Sequence, residues 1–366
     1  MKISRIAQLG AVAAIAALTL AGCASNEGGG ATSPSASDVP TLSGTINGSG
    51  ATSQQVAVQA WTAEFQGTNP EVTVNYDPQG SGTGRESFQS GAVNFAGSDR
   101  AFKVDEITAG PFDACVAGSD IVEIPAYVSP IAIIFQIDGV DSLDLDAATI
   151  AGIFAGTITN WNDPAIAATN PDAKLPDLAI TPVHRSDKSG TTGNFTDYLA
   201  ANAESTWTFG SVEEWPIQGG EAAQGTSGVV NAVKGGQGTI GYADSSQATG
   251  IASVNVKVGD EFVGHSAEGA AIAVDASPFE EGRADTDLAI SIDRTTTEAG
   301  AYPVVLISYL IGCAEYADAD AAALVKGFFN TAISEAGQET AATNAGSAPI
   351  SDALRTKAQA AVDAIK

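Results

Sequence analysis

The chain is poor in basic residues. It holds 16 lysines and arginines against 43 aspartates and glutamates, which gives a formal net charge of −27 at pH 7. A protein that grips a phosphate backbone needs a basic face. The charge balance therefore argues against a nucleic-acid partner.

Residues that hold metal ions are also scarce. The chain has two histidines and three cysteines. No two cysteines have zinc-finger spacing, and the HExxH motif is absent. We therefore expect no metal site, and we predict no other cofactor.

Common nucleotide and hydrolase motifs are missing as well. Lys188 precedes its glycine, so there is no GxxxxGK[ST] loop, and residues 80–84 (GSGTG) lack the GxGxxG spacing. No GxSxG elbow is present. His184, Asp187 and Ser189 lie on one short stretch of chain, where a catalytic relay rarely forms. The sequence thus disfavours nucleotide binding and predicts that the protein is not an enzyme.

The N-terminus is predicted to be an export signal. Lys2 and Arg5 precede an almost unbroken apolar run over residues 6–20, which ends in Leu-Ala-Gly-Cys. This run is short for a membrane-spanning helix of about 20 residues, and its small-residue end is typical of a signal peptide. The ending resembles the lipobox of bacterial lipoproteins. We predict a signal peptide over residues 1–22 and lipidation of Cys23; the alternative is a signal peptide with an incidental cysteine.

Two further predictions follow from export. Residues 23–40 are rich in glycine, serine and proline, so we expect a flexible tether that anchors the protein to the outer face of the cell membrane. Outside the cytoplasm disulfides persist, and Cys115 and Cys313 are the remaining cysteines. We predict that they pair; the alternative is two buried free thiols.

The body of the chain is predicted to be an α/β fold. With 44% apolar and 16% charged residues it can bury a sizeable core, and 366 residues usually mean two domains or one large one. β-like runs such as residues 72–76 (VTVNY) and 302–311 (YPVVLISYLI) alternate with helical patterns. This alternation predicts mostly parallel strand pairing.

Three loops rich in glycine, serine and threonine carry the chemistry. They are loop one at residues 48–53 (GSGATS), loop two at residues 80–84 (GSGTG) and loop three at residues 185–191 (RSDKSGT). Each is predicted to follow a strand and precede a helix. A helix N-terminus offers unpaired N–H groups and partial positive charge, which suit an anion. Taken singly each loop fits an ordinary turn, but three in one context favour one small-anion site.

The chain resembles the substrate-binding lipoprotein of the phosphate-specific ABC importer. The resemblance covers nearly all of residues 42–366 and lies in several motifs in the same order, among them GSGAT at 48–52, NYDPQGSGTG at 75–84, VNFAGSD at 93–99, HRSDKSGTTGNFTDYL at 184–199 and YPVVLISY at 302–309. It implies a two-lobe periplasmic-binding-protein fold of type II, with hinge strands and a central ligand cleft. Lobe one would comprise residues 41–128 plus 300–366, and lobe two residues 129–299.

The resemblance also implies the site and the partners. Phosphate contacts would come from the three loops and from the end of VNFAGSD, on Thr52, Ser53, Ser81, Asp99, Arg185, Ser189, Gly190 and Thr191, while Asp187 would orient Arg185. The family often has an aromatic residue and a proline after the first-loop threonine, where this chain has Ser53 and Gln54. Two permease subunits and an ATPase would be the protein partners of a monomer.

Asp99 is the residue expected to select phosphate. An ionised carboxylate accepts hydrogen bonds and donates none, and phosphate near neutral pH keeps a proton to give. Sulfate has no such proton, so it would leave Asp99 unpaired. The alternatives are a binding protein for another oxyanion (sulfate, arsenate or molybdate), a phosphate-ester hydrolase, and a surface sensor or adhesin.

Overall fold

The computed structural model describes residues 42–366; the predicted signal peptide, Cys23 and the tether lie outside that range. The strands of the described chain are β1 Ser43–Gly50, β2 Glu71–Asp77, β3 Phe95–Ser98, β4 Ile121–Phe135, β5 Ser142–Leu145, β6 Thr181–Arg185, β7 Glu221–Ala223, β8 Thr239–Asp244, β9 Ala252–Val258, β10 Glu261–Val263 and β11 Val305–Cys313. The helices are α1 Gln55–Thr68, α2 Ser81–Gln89, α3 Val104–Ala109, α4 Ala147–Phe154, α5 Pro164–Thr169, α6 Gly190–Asn202, α7 Gly225–Gly235, α8 Ala267–Asp275, α9 Ala319–Ile333, α10 Glu335–Ala345 and α11 Asp352–Asp363.

Local sequence accounts for the main elements. Helix α1 buries Val58, Trp61 and Phe65, which recur every three to four residues and so share one face. Helix α4 begins at Asp146, whose side chain accepts a hydrogen bond from the Thr149 N–H and satisfies one free donor of the first turn. Strand β4 is buried along its full length, as expected for a central strand covered on both faces.

The sheet runs in the order β2-β1-β3-β11-β4-β8-β6-β7. Strand β4 pairs with β11 over residues 121–130 and then with β8 over residues 131–135. One long strand therefore belongs to both halves of the sheet. The helices α1, α9, α10 and α11 pack beside the β1–β3 half, and α6 and α7 beside the β6–β8 half.

The expectation of mostly parallel pairing was wrong. Among the described strands five pairs are parallel and five are antiparallel. Parallel pairs such as β1 with β2 are joined by crossover helices. Four antiparallel pairs involve β11, which returns against both β3 and β4, or β4, which runs against β8 and β9; the fifth joins β9 to β10.

Two further features bear on the sequence predictions. Cys115 and Cys313 form a disulfide that ties the loop before β4 to the end of β11. Within residues 42–366, no helix combines the length and the apolar character needed to cross a membrane.

Candidate functional site

The three loops lie at the C-terminal ends of strands β1, β2 and β6. Loop one begins with the last three residues of β1 and leads into α1, and loop three runs from the last residue of β6 into the first two residues of α6. Loop two differs from its prediction, because α2 begins at Ser81 and so includes Gly82 and Gly84. Gly80 has φ of 105°, a conformation that favours glycine, and it turns the chain from β2 into α2.

The loops meet at the carboxylate of Asp99, the residue directly after β3. Ser53 of loop one donates a hydrogen bond to Asp99 Oδ1 at 2.5 Å, and Thr191 of loop three donates to Oδ2 at 3.0 Å. Ser308 on β11 donates to Oδ1 at 2.8 Å. Asp99 is only 3% exposed. Three hydroxyl groups from distant parts of the chain therefore surround one buried carboxylate.

Loop two and helix α6 reach the backbone of the same residue. The Asp99 N–H donates to Ser81 Oγ at 3.1 Å, and Asn194 Nδ2 donates to the Asp99 carbonyl at 2.7 Å. A Cβ on Gly190 would lie 2.5 Å from Ser81 Oγ and 2.6 Å from Asp99 Cβ. Only glycine allows the start of α6 to come this close to loop two.

Arg185 is fixed beside the site by Asp187. Its Nε donates to Asp187 Oδ1 at 2.8 Å and its Nη2 donates to Oδ2, which makes a two-pronged pair. Asp187 Oδ1 also accepts from the Gly225 N–H at 3.0 Å. Burial opposes ionisation, but the hydrogen bonds and charge of Arg185 outweigh it and hold the pKa of Asp187 below its ordinary value. Asp187 therefore stays ionised, and the pair holds the guanidinium of Arg185 in one orientation.

Burial has the opposite outcome at Asp99. It raises the pKa of Asp99 above the ordinary value, although hydrogen bonds from Ser53, Ser308 and Thr191 and the charge of Arg185 act against that rise. A carboxylate of raised basicity is a strong acceptor for a proton that a ligand brings. Oδ2 accepts from one protein group and Oδ1 from two, so Oδ2 has the greater free acceptor capacity.

Thr52 and Ser189 are also buried here, with other partners. Thr52 Oγ1 lies 2.9 Å from Thr226 Oγ1 and accepts from the Thr226 N–H at 3.1 Å. Ser189 Oγ caps α6 by accepting from the Thr192 N–H at 3.2 Å. Both hydroxyls keep capacity for a further hydrogen bond, because each oxygen has one proton and two lone pairs.

The departure after Thr52 has a structural consequence. Ser53 donates its side-chain hydroxyl to Asp99. Gln54 is buried, and its Nε2 donates to the Tyr309 carbonyl at 3.4 Å. Both residues after Thr52 are thus held by polar side-chain contacts.

Sequence reasoning missed Ser308, Asn194 and Thr226. Ser308 is far from the loops along the chain, but it is the lone hydroxyl among the aliphatic residues of the run VVLIS. A buried hydroxyl in such a strand needs a partner, and that signal could have marked it. No comparable sequence pattern identifies Asn194 or Thr226.

The geometry disfavours a catalytic relay and a metal site. The His184 ring nitrogens lie 3.0 Å from the Arg185 carbonyl and 3.2 Å from the Gly219 carbonyl, and the ring stacks on Trp215 at 5.0 Å. Backbone contacts therefore occupy the histidine, which has no hydrogen bond to Ser189. In the described part of the chain, no group of three or more His, Cys, Asp or Glu side chains could hold a metal ion.

A cavity of about 780 Å³ adjoins Asp99 and Gly190. Its three arginines are paired with carboxylates: Arg100 with Glu106 and Glu213, Arg283 with Glu280 and Asp287, and Arg294 with Asp197. The loops around Asp99 instead converge several hydroxyl groups on one place. The loops are therefore the better anion site.

Comparisons with known proteins show the family of the chain. Residues 35–336 match the family model described as the PBP superfamily domain. The chain is 35% identical over 383 residues to the phosphate-binding protein PstS3 of Mycobacterium bovis (strain BCG), with 100% of both chains covered. A high-affinity periplasmic phosphate-binding protein solved with phosphate has a TM-score of 0.72 at 24% identity, covering 87% of this chain and 93% of that one. A candidate phosphate ABC transporter substrate-binding protein from Clostridium perfringens, also with bound phosphate, has a TM-score of 0.58 at 21% identity, covering 82% and 98%.

Proposed function

Because the chain belongs to the PstS phosphate-binding proteins of the PBP superfamily, we propose that it binds inorganic phosphate among the three loops and delivers it to an ABC importer. One observation carries the proposal. A buried carboxylate, Asp99, stands among hydroxyl donors within the field of Arg185. A protonated oxyanion satisfies both kinds of group, whereas a fully deprotonated one leaves the carboxylate facing an acceptor.

Each site residue has a role in this proposal. Arg185 supplies positive charge to the phosphate oxygens, and Asp187 holds the guanidinium in place. The hydroxyls of Thr52, Ser81 and Ser189 and the backbone N–H groups of Ser53, Gly190 and Thr191 donate to the oxygens. The hydroxyl protons of Ser53 and Thr191 are already donated to Asp99, so these two residues act on phosphate through their backbone. Asp99 accepts the phosphate proton.

We further propose that two lobes close on the ligand. Lobe one comprises residues 41–128 and 300–366, and lobe two residues 129–299. Support comes from the sheet, because β4 pairs with β11 on one side of about residue 130 and with β8 on the other. Loops one and two and Asp99 then belong to lobe one and loop three to lobe two, so bound phosphate bridges both and favours closure.

The location and the partners belong to the same proposal. The protein acts outside the cytoplasm, anchored through lipid on Cys23 to the outer face of the cell membrane, and passes phosphate as a monomer to permease subunits driven by an ATPase. The lipobox-like ending supports the anchor. The similarity to the phosphate ABC transporter substrate-binding protein from Clostridium perfringens supports the ABC transporter role.

Titration calorimetry of the purified protein with phosphate, sulfate and arsenate tests the proposal. We expect tight binding of phosphate and arsenate, which both keep a proton, and much weaker binding of sulfate. Sulfate binding as tight as phosphate would favour the general-oxyanion alternative. Turnover of a chromogenic phosphate ester would favour the hydrolase; we expect none.

A further inference from the structure

Glu213 lies outside the three loops but contacts the chain around loops two and three. Both oxygens of its carboxylate accept from one nitrogen of Arg85, with Nη2 at 2.8 Å from Oε1 and 2.6 Å from Oε2. Arg100 Nε donates to Oε2 at 3.0 Å. Arg85 is in α2, the helix that begins with loop two, and Arg100 directly follows Asp99. Two cations of proposed lobe one thus hold one carboxylate of proposed lobe two.

The contacts continue from Glu213 into the proposed phosphate site. The Glu213 carbonyl accepts from the Ser189 N–H at 3.0 Å, so the residue that receives the arginines also fixes loop three. On the other side, Arg85 Nη1 donates to Ser98 Oγ at 2.5 Å, one residue before Asp99. A further backbone hydrogen bond, from the N–H of residue 82 to the carbonyl of residue 188 at 3.2 Å, joins loops two and three directly.

The pair of Arg85 with Glu213 is shielded from water. The Arg85 side chain is 3% exposed and that of Glu213 is 12% exposed. Burial disfavours the ionised carboxylate, but the charges of Arg85 and Arg100 outweigh it and hold the pKa of Glu213 below its ordinary value. Arg100 also forms an ion pair with Glu106, which belongs to the same proposed lobe. Within residues 42–366, Arg85 has Glu213 as its one carboxylate within 4.0 Å.

We propose that Glu213 is a positioning residue that fastens loop three to loop two and so sets how long phosphate stays bound. The proposal rests on the function proposed above. Separating the lobes takes Glu213 away from Arg85 and leaves a nearly buried cation without its counter-ion. Opening is therefore opposed by a contact that does not touch the ligand. Such a contact changes the dissociation rate of every bound anion alike and leaves selectivity among anions unchanged.

The test compares Glu213→Gln with Glu214→Gln. The first removes the charge and keeps the shape. Glu214 is the exposed neighbour, and it has no ion pair or side-chain hydrogen bond among the described residues. We measure the phosphate dissociation rate by stopped flow and the ratio of phosphate to sulfate affinity by calorimetry. We expect dissociation to be at least about tenfold faster in E213Q, with the affinity ratio unchanged, and a wild-type rate in E214Q.

A second variant tests the same contact from its other side, in case E213Q fails to fold. Arg85→Lys keeps the cation but loses the planar guanidinium that reaches Glu213 through Nη2 and Ser98 through Nη1, so we expect a smaller acceleration in the same direction. Equal dissociation rates in E213Q, R85K and E214Q would overturn the proposal, as would a change in the affinity ratio in E213Q. If the wild-type protein binds no phosphate at all, the proposed function fails instead, and calorimetry on that protein distinguishes the two cases.

Discussion

Replacing Asp99 with asparagine tests how the site recognises a proton. The amide of the D99N variant would keep an oxygen for Ser53 and Ser308, which both donate to Oδ1 in the wild-type protein. It would place an NH₂ group where Oδ2 now accepts from Thr191. A phosphate hydroxyl directed at that position would meet a donor, while an unprotonated sulfate oxygen would meet a partner.

The expected loss of phosphate affinity follows from replacing one hydrogen-bond acceptor with a donor. A buried polar group without its hydrogen bond costs about 1–3 kcal/mol, and more when charge is involved. Phosphate affinity should therefore fall by between about 5-fold and 150-fold. Sulfate affinity should rise or stay the same. The phosphate-to-sulfate ratio consequently falls by at least the factor lost for phosphate.

Competition calorimetry at pH 7 measures that ratio. Asp187→Asn is the matched control, because it loosens Arg185 and should weaken both anions by similar factors. An unchanged ratio in D99N would remove Asp99 from the selecting role. A ratio that falls equally in D187N would show that charge alone, and no proton, decides selectivity.

Three other substitutions test separate parts of the structure. Gly190→Ala places a Cβ 2.6 Å from the Asp99 Cβ, so calorimetry should show a loss of phosphate affinity between about 5-fold and 150-fold, since overpacking costs about 1–3 kcal/mol; unchanged affinity would contradict the close approach of α6. Ser308→Ala removes one donor to Asp99 and should cost about fivefold in affinity with an unchanged melting temperature; wild-type affinity would exclude Ser308 from the site. Burial raises the pKa of Asp244 to about 7, so the stability from this group is complete below about pH 4 and is lost as pH rises to 7. Asp244→Asn should therefore increase the free energy of unfolding at pH 8 by up to about 4 kcal/mol, and less at pH 5; denaturant titrations that show no gain at pH 8 would contradict the raised pKa.

Long, strongly patterned elements could be predicted from the sequence, and short ones could not. Strand β2 has clear alternation and strand β11 an almost unbroken apolar run, and both lie within a few residues of the runs predicted at 72–76 and 302–311. Strand β3 was missed although Asp99 follows it. Its four residues, FAGS, are too few for alternation to show, and pairing with β1 and β11 holds it in the sheet.

Strand direction was the larger error, and its cause is non-local. A strand-helix-strand pattern predicts parallel neighbours, and β1 with β2 obeys it. Strand β11 comes back to the first half of the sheet only after the chain has built the second half, and it inserts antiparallel between β3 and β4. No local pattern encodes where such a strand inserts, because its partners are set by the core that it completes.

The loops could be identified from composition, but their arrangement depends on contacts across the whole chain. Thr191 and Ser308 are 92 and 209 residues from the carboxylate that both bind. Glu213, 128 residues from Arg85, has no motif at all. Such partners are brought together by the sheet, so sequence reasoning could name donors but could not say which of them share an acceptor.

The charges of the site explain how a chain of net charge −27 can bind an anion. Distant surface charges are screened over a Debye length of about 8 Å at physiological salt. Within the site, the positive charge of Arg185 is already matched by Asp187, and Asp99 adds a carboxylate. Ionised side chains alone therefore give no net attraction. Binding must come from hydroxyl and N–H dipoles held in place before the ligand arrives, which lose little energy in reorganising. We therefore expect contacts that hold the loops together, such as the one between Arg85 and Glu213, to influence phosphate binding although they do not touch the ligand.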